Sequence, residues 1–445
     1  MTLAAQTAEG AARALAIAVL AVVLAPPLAR LLAHMHGRLR TLTWALLLAP
    51  LLTPALLISY AYSHFALQLM AVPGATAALY FASLTLKLVP VAALILHFVP
   101  PAISPEAVRC HALLARSHRE RWMFQLRGAG RAPWMAGGLV FLFAFTDFEL
   151  ASLWSLKTWT VALFDAQAGG LALGESLRLA ALPLGIEIAV LALILRTPAF
   201  SPAPVSTGKA PGRNARRALL AYLAAAALLA CGWPLLFVTA QAVTGFRAVA
   251  ENFVLANDLA ASLAFAAGAA FFAWLLAAWI ANRHRAALAL ALPGLLGALL
   301  LALFVLTAFQ FSALHSAYDT PLPLLLALTL LLLPFALPLR WLLDASRHNP
   351  ALHLAGHAGS AALIWRLDTR RRWLAGFLLF CWANFDFTAG SILAPVGFTP
   401  VFVRLHNLAH YGQTAVLSAM FFAAFAVPVM VLLLTAPAPR WYARR

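Results

Sequence analysis

Eleven long apolar runs, each bounded by charged, Pro/Gly-rich or polar residues, restrict this chain more than any other feature. They cover about 12–33, 42–62, 75–100, 134–154, 176–196, 218–240, 258–281, 287–311, 320–343, 373–393 and 414–436. A helix needs about 20 apolar residues to cross the hydrocarbon core of a bilayer, and within that core a helix satisfies all its backbone polar groups internally. The expected fold class is therefore an all-α polytopic membrane protein with about 11 transmembrane helices. Only 10% of the residues are charged, against about 25% in soluble domains, which excludes a soluble enzyme. In so apolar a chain the net charge of +17 reads as basic cytoplasmic loops, with no nucleic-acid partner expected. Cys110, Cys231 and Cys381 are far apart, in or beside apolar segments, and suggest neither a disulfide framework nor a zinc site. The first run does not read as a cleaved signal, because its leader holds Glu9 and no base and the run exceeds a signal h-region.

Loop charge sets the expected orientation. With the N-terminus outside, all but six of the 31 basic residues (Arg13, Lys87, Lys157, Arg178, Arg247 and Arg404) fall in cytoplasmic segments. The opposite orientation reverses that bias, so the positive-inside rule places the N-terminus outside and the C-terminus in the cytoplasm. The basic loops also suit attraction to anionic membrane lipid.

An internal repeat appears at a period of about 240 residues. Arg131, Trp134, Ala136, Gly137, Leu139, Phe141, Asp147, Phe148 and Ser152 recur as Arg370, Trp373, Ala375, Gly376, Leu378, Phe380, Asp386, Phe387 and Ser391, while Pro50 matches Pro293 and Pro90 matches Pro334. Chance explains matched Leu and Ala in apolar sequence far more easily than a matched Arg, Trp and intramembrane Asp-Phe. The expected domains are a first five-span repeat over 1–196 with a basic loop at about 101–133, a Pro/Gly/Ser-rich basic linker at 197–217, a helix at 218–240, and a second five-span repeat over 241–445 with its loop at about 344–372. Five is odd, so the extra helix restores the orientation and makes the copies parallel about an axis along the membrane normal.

With these residues in view, the sequence resembles a fused two-copy permease of an ABC importer, closest to the binding-protein-dependent inner-membrane components for ferric iron, thiamine and phosphonate. Topologically the resemblance spans nearly the whole chain, and it is sharper over 131–181 and 370–420. It implies a bacterial inner-membrane protein that forms a substrate pathway by alternating access. It further implies cytoplasmic ABC ATPase subunits and a periplasmic solute-binding protein as partners, and no cofactor or metal of its own. The chain itself would not be an enzyme, having no GxxxxGK[ST] loop to hold nucleotide phosphates. The family's coupling loop carries Glu-Ala-Ala-xxx-Gly. Here Glu106, Ala107 and Val108 begin that pattern, with Ala112 where the family has Gly; the second loop lacks Glu-Ala-Ala but holds Gly356 and Gly359 as turn formers. By resemblance these residues are the ATPase-coupling candidates.

The pathway candidates are Asp147, Phe148, Glu149, Asp386 and Phe387. A lone carboxylate at mid-bilayer costs roughly 2.5–3.5 kcal/mol and faces a cavity or a partner. Two readings fit Asp147 and Asp386, as lining of a pathway or as caps of a broken helix, and they are compatible. Lys87 and Glu187 are also intramembrane and form a candidate charge pair, with one another or with Asp147. A relay through Lys87, Asp147 and Glu187 would instead make an ion-coupled secondary transporter, and a non-transporting scaffold on a degenerate permease fold is the third reading. His406 and His410 have a spacing open to a metal on a helix, but two imidazoles alone read better as a wet loop face.

Overall fold

A computed structural model describes residues 2–63, 65, 72, 74–99, 105–115, 117, 119–120, 124, 130, 132–195, 210–251, 253–311, 313–345, 350–359, 361–364, 368–410 and 414–435. Arg131 and most of the 197–217 linker lie outside them. Within the described residues the regular structure is helical throughout, without a strand. Seven helical segments are long and apolar enough to cross a bilayer, and nine when each of two sharply bent helix pairs counts as one span. The chain is thus a multi-pass helical membrane protein. Of the eleven expected runs, those at 373–393 and 414–436 are helical without meeting that measure. The first is broken near Asp386, and the second is described through its side chains only over Thr414–Met430.

The chain divides into two compact units, Met1–Pro234 and Leu235–Arg445, and the division falls inside the expected sixth run. In the first unit, α1 (Leu3–His34) packs against α4 (Ala75–Phe98) and α6 (Ala132–Phe145), and α4 also meets α2 (Gly37–Leu52). The helix α3 (Ala55–Ser63) packs on the short α7 (Glu149–Leu153). Helix α5 (Pro105–Leu114) lies in the basic loop, α8 (Trp159–Ala168) leads into α9 (Leu173–Leu195), and α10 (Arg213–Ala227) packs on α2. What lets α1 serve as the hub is its side-chain size. Ala14, Ile17, Ala18, Ala21, Ala25, Leu28, Ala29 and Leu32 recur at helical spacing and are almost wholly buried. In lipid there is little hydrophobic drive between helices, so close backbone approach along such a small-residue seam supplies the attraction. Leu15, Val19 and Val23 on the opposite face stay exposed.

The second unit begins within α11 (Trp233–Glu251) and has its own hub, α12 (Phe253–Ile280). Its seam of Ala266, Ala269, Ala270, Ala273 and Ala277 packs against α15 (Leu322–Ala345) and α18 (Arg370–Asn384). Between them run α13 (His284–Leu295) and α14 (Gly297–Gln310), which pack on α15. After α15 come α16 (Pro350–His357) and α17 (Ala361–Ile364) in the second basic loop. Past α18 lie the short α19 (Thr388–Leu393), then α20 (Val401–His410) packed on α21 (Thr414–Thr435).

Two expected spans are bent instead of straight. α2 and α3 meet at 77°, and the α13–α14 pair at 106°. Proline explains the first: Pro54 has no N–H to continue the ladder, and Thr53 closes α2 by donating its N–H to Ala49 O. At the second, Leu296 donates to Pro293 O and Gly297 adopts φ +81°, a left-handed conformation that favours glycine.

Candidate functional site

Each unit contains a helix that stops and restarts at an Asp-Phe dipeptide. In the first, α6 ends at Phe145 and α7 begins at Glu149. Breaking a helix frees carbonyls and amides that must be satisfied when water is remote, and three side chains do this. Trp159 donates its indole N–H to Phe145 O at 2.9 Å, Thr160 donates its hydroxyl to Asp147 O at 2.9 Å, and Asp147 Oδ2 accepts Ala151 N–H at 3.2 Å. In the second unit Asp386 Oδ2 accepts from Ala389 N–H at 2.9 Å and Gly390 N–H at 3.2 Å. Both aspartates therefore cap the helix that follows them. Phe148 and Phe387 are buried, packed at a tilt against Phe164 at 4.6 Å and against His406 at 4.5 Å between ring centroids.

Around Asp147 the structure gathers a chain of alternating charges. The buried Tyr80 on α4 holds its hydroxyl within hydrogen-bonding reach of Asp147 and of Arg13 on α1. The Arg13 guanidinium lies 5.5 Å over the Tyr80 ring and pairs with Glu9 one turn back. On the other side Lys87 faces Glu149 and Asp147, and its Nζ donates to Thr53 O at 2.7 Å. Among the described residues, that carbonyl has no backbone donor at the α2–α3 bend. The lysine thus both satisfies a helix break and balances the carboxylates.

The expected Lys87–Glu187 pair does not form, and this is a correction. Glu187 lies on the buried stripe of α9 with Ser176, Ala180, Pro183, Leu191 and Ile194, and that helix packs on α6. Its residue surface is wholly enclosed, and neither carboxylate oxygen has a hydrogen-bond partner among the described residues. Lys87 instead belongs to the Asp147 group, the second arrangement that the sequence left open.

The second unit carries a polar pair that sequence reasoning passed over. Arg404 on α20 donates from Nε at 2.9 Å and from Nη2 at 2.7 Å to Asp258 Oδ2 on α12. One helical turn along, Ser262 Oγ accepts Val401 N–H at 2.7 Å. Both contacts fasten the first turn of α20 to α12. His406 packs on Phe387, not on a wet loop face; the side chain of His410 lies outside the described residues.

Of the coupling candidates, Glu106, Ala107 and Ala112 lie on α5, and the side chains of Glu106 and Ala112 are outside the described residues. The far end of that helix presents Leu113 and Leu114, 86% and 79% exposed. In the second loop Gly356 sits on α16 with open space around it, and Gly359 turns the chain just after that helix at φ +63°, the usual glycine termination of a helix. The neck of this loop is tied by ions. Asp344 takes Arg340 at 2.9 Å and Arg372 at 3.4 Å, and Arg372 also pairs with Asp368 at 2.9 Å.

The fold and its broken, charge-bearing helices define the class, a polytopic helical membrane protein with buried polar groups at helix interruptions. No protein-family model, curated protein or solved structure matches the chain.

Proposed function

We propose that this chain is the membrane-spanning permease of an ABC-type importer, in a bacterial inner membrane with its N-terminus outside. The observation that carries this reading is the order of elements in each unit. A small-residue hub helix (α1, α12) is followed by a bent pair (α2–α3, α13–α14) and a long proline-bearing helix (α4, α15). A basic loop containing a helix then precedes a span broken at Asp-Phe, a ten-residue helix (α8, α20) and a last helix (α9, α21). Each hub packs on the long helix and on the broken one in its own unit. Eleven spans in two parallel repeats is the topology that accommodates this order. Exposed Leu113 and Leu114 on the first loop, and Leu354 at 68% exposure on the second, supply apolar anchors for cytoplasmic ATPase subunits. The ion-tied neck around Asp344 gives the second loop a stiff connection to its spans. A periplasmic solute-binding protein would deliver the substrate.

The test is purification of the tagged full-length chain in mild detergent, with mass spectrometry of what accompanies it. A stoichiometric nucleotide-binding subunit, lost on Glu106→Arg, is the expected result. Reproducible absence of any ATPase refutes it and favours the ion-coupled carrier, for which the charge chain Glu9–Arg13–Tyr80–Asp147–Lys87 is the favouring observation.

A further inference from the structure

The second unit contains a small, partly open pocket with about 20 Å³ of space for a water-sized occupant, whose polar lining comes from Ser262, Asn384 and Asp386; Phe265, Leu324 and Phe398 are among its apolar walls. A single water-sized occupant needs about 10–15 Å³ on this measure, so the space holds one small particle. Three features of its chemistry stand out. Asn384 is 4% exposed, yet neither its amide oxygen nor its amide nitrogen has a hydrogen-bond partner. Buried polar atoms are nearly always satisfied, so the unpaired amide oxygen, an acceptor, points to an occupant that it can hold. Asp386 spends only Oδ2 on the amides of Ala389 and Gly390, and Oδ1 has no partner among the described residues. Ser262 Oγ accepts Val401 N–H and keeps a second lone pair and its own proton.

We infer that this pocket is a binding site for one monovalent cation of sodium size, held by the Asp386 carboxylate, the Asn384 amide oxygen and the Ser262 hydroxyl oxygen. The donor set is all oxygen, which suits a hard cation. It carries one formal negative charge, which balances a monovalent ion and leaves a divalent one uncompensated. Its place in the fold adds to this. Asn384 is the last residue of α18, where the helix dipole is negative; of the last-turn carbonyls, those of Cys381 and Ala383 already accept the N–H groups of Phe385 and Asp386. Carbonyls released at interrupted membrane helices are recurrent alkali-cation ligands. A bound ion would also tie the α18–α19 break to α12. In the first unit the position of Asn384 is taken by Phe145, so that unit lacks the amide ligand. The inference is independent of any ATPase: it stands or fails on ion binding alone.

The experiment is thermal unfolding of the purified full-length protein at constant ionic strength, replacing choline chloride stepwise by sodium chloride, with lithium and potassium in parallel, together with equilibrium uptake of radiolabelled sodium. Sodium is expected to raise the melting temperature saturably, since a ligand of the native state stabilises it by mass action, with potassium weaker. Ser262→Ala should weaken sodium binding about tenfold or more. Asn384→Leu should abolish the sodium response while matching or exceeding the wild type in choline, because it removes unpaired polar atoms without leaving a void. Asp147→Asn, in the other unit, should keep the response. Identical melting in sodium and choline, with no bound radiolabel, would overturn the inference and identify the occupant as water. So would a sodium response that survives Asn384→Leu. Asp386→Asn, which removes the one negative charge of the site, should also abolish the sodium response; if that variant fails to fold, the wild-type titration and the Asn384 variant decide the matter.

Discussion

Replacing Gly294 by alanine adds one methyl group at a close helix contact in the second unit. A Cβ at this position would lie 2.3 Å from Leu330 O and 2.9 Å from Cγ and Cδ of Pro334. The geometry has a covalent origin. Pro334 lacks the N–H that would bond Leu330 O, so that carbonyl turns outward from α15, and the bare Cα of Gly294 on α13 settles against it. Ordinary carbon–oxygen contacts stand at about 3.3–3.6 Å, so the methyl demands a displacement of about 1 Å. Neither the carbonyl nor the proline ring can swing away as a flexible side-chain end would. Overpacking of this kind costs about 1–3 kcal/mol, lowering the folded-to-unfolded ratio by roughly 5- to 150-fold. Gly376→Ala is the paired control, because it is also helical and a Cβ there meets nothing within 4 Å. It should be neutral or gain up to about 1 kcal/mol from helix propensity. Denaturant titration in mild detergent, followed by tryptophan fluorescence, reads both. Equal stability of Gly294→Ala and wild type, or equal loss in the two variants, would refute the argument that the freed Leu330 carbonyl sets the approach of α13 to α15.

Further predictions follow from other contacts. Asp258→Asn strips the carboxylate from a 5%-exposed position and leaves Arg404 uncompensated; a loss of about 2–5 kcal/mol in the same titration is expected, and Asp258→Asn combined with Arg404→Gln should recover part of it in a double-mutant cycle. Trp159→Phe keeps the ring but deprives Phe145 O of its donor, costing about 1–3 kcal/mol; an unchanged midpoint would show that the α6 terminus has another donor. Lys87→Met leaves Thr53 O unbonded and Glu149 and Asp147 without their cation, and should destabilise the fold more than Glu187→Gln, since Glu187 has no partner to lose. A larger loss for Glu187→Gln would contradict that placement.

Much of the architecture was legible because lipid leaves a chain few options. Apolar runs such as 12–33 and 75–100 became α1 and α4 because backbone groups in hydrocarbon are satisfied only locally. The bends in 42–62 and 287–311 went unread even though Pro54 and the Pro293-Gly294 step were in view, since proline in a membrane helix is compatible with a mild kink as well as with a turn of 77° or 106°. Asp147 and Asp386 were visible as costly intramembrane charges, and the structure shows that each caps a helix restart. Asp258 was passed over because it stands at the start of a run, where a charge is cheap. Asn384 and Ser262 were missed because they carry no charge at all.

The sequence by itself determined what depends on neighbours along the chain: the helices, the positions of proline and glycine within them, the basic loops, and the recurrence of Trp, Gly and Asp-Phe from residues 134–148 to 373–387. The tertiary structure alone decided the partners of the buried polar groups. Lys87 finds the carbonyl of Thr53, Asp258 finds Arg404, and Glu187 finds none. Those outcomes turn on how far apart two helices pack and which face each presents. Such distances are set jointly by side chains from several helices, and no stretch of one helix contains them.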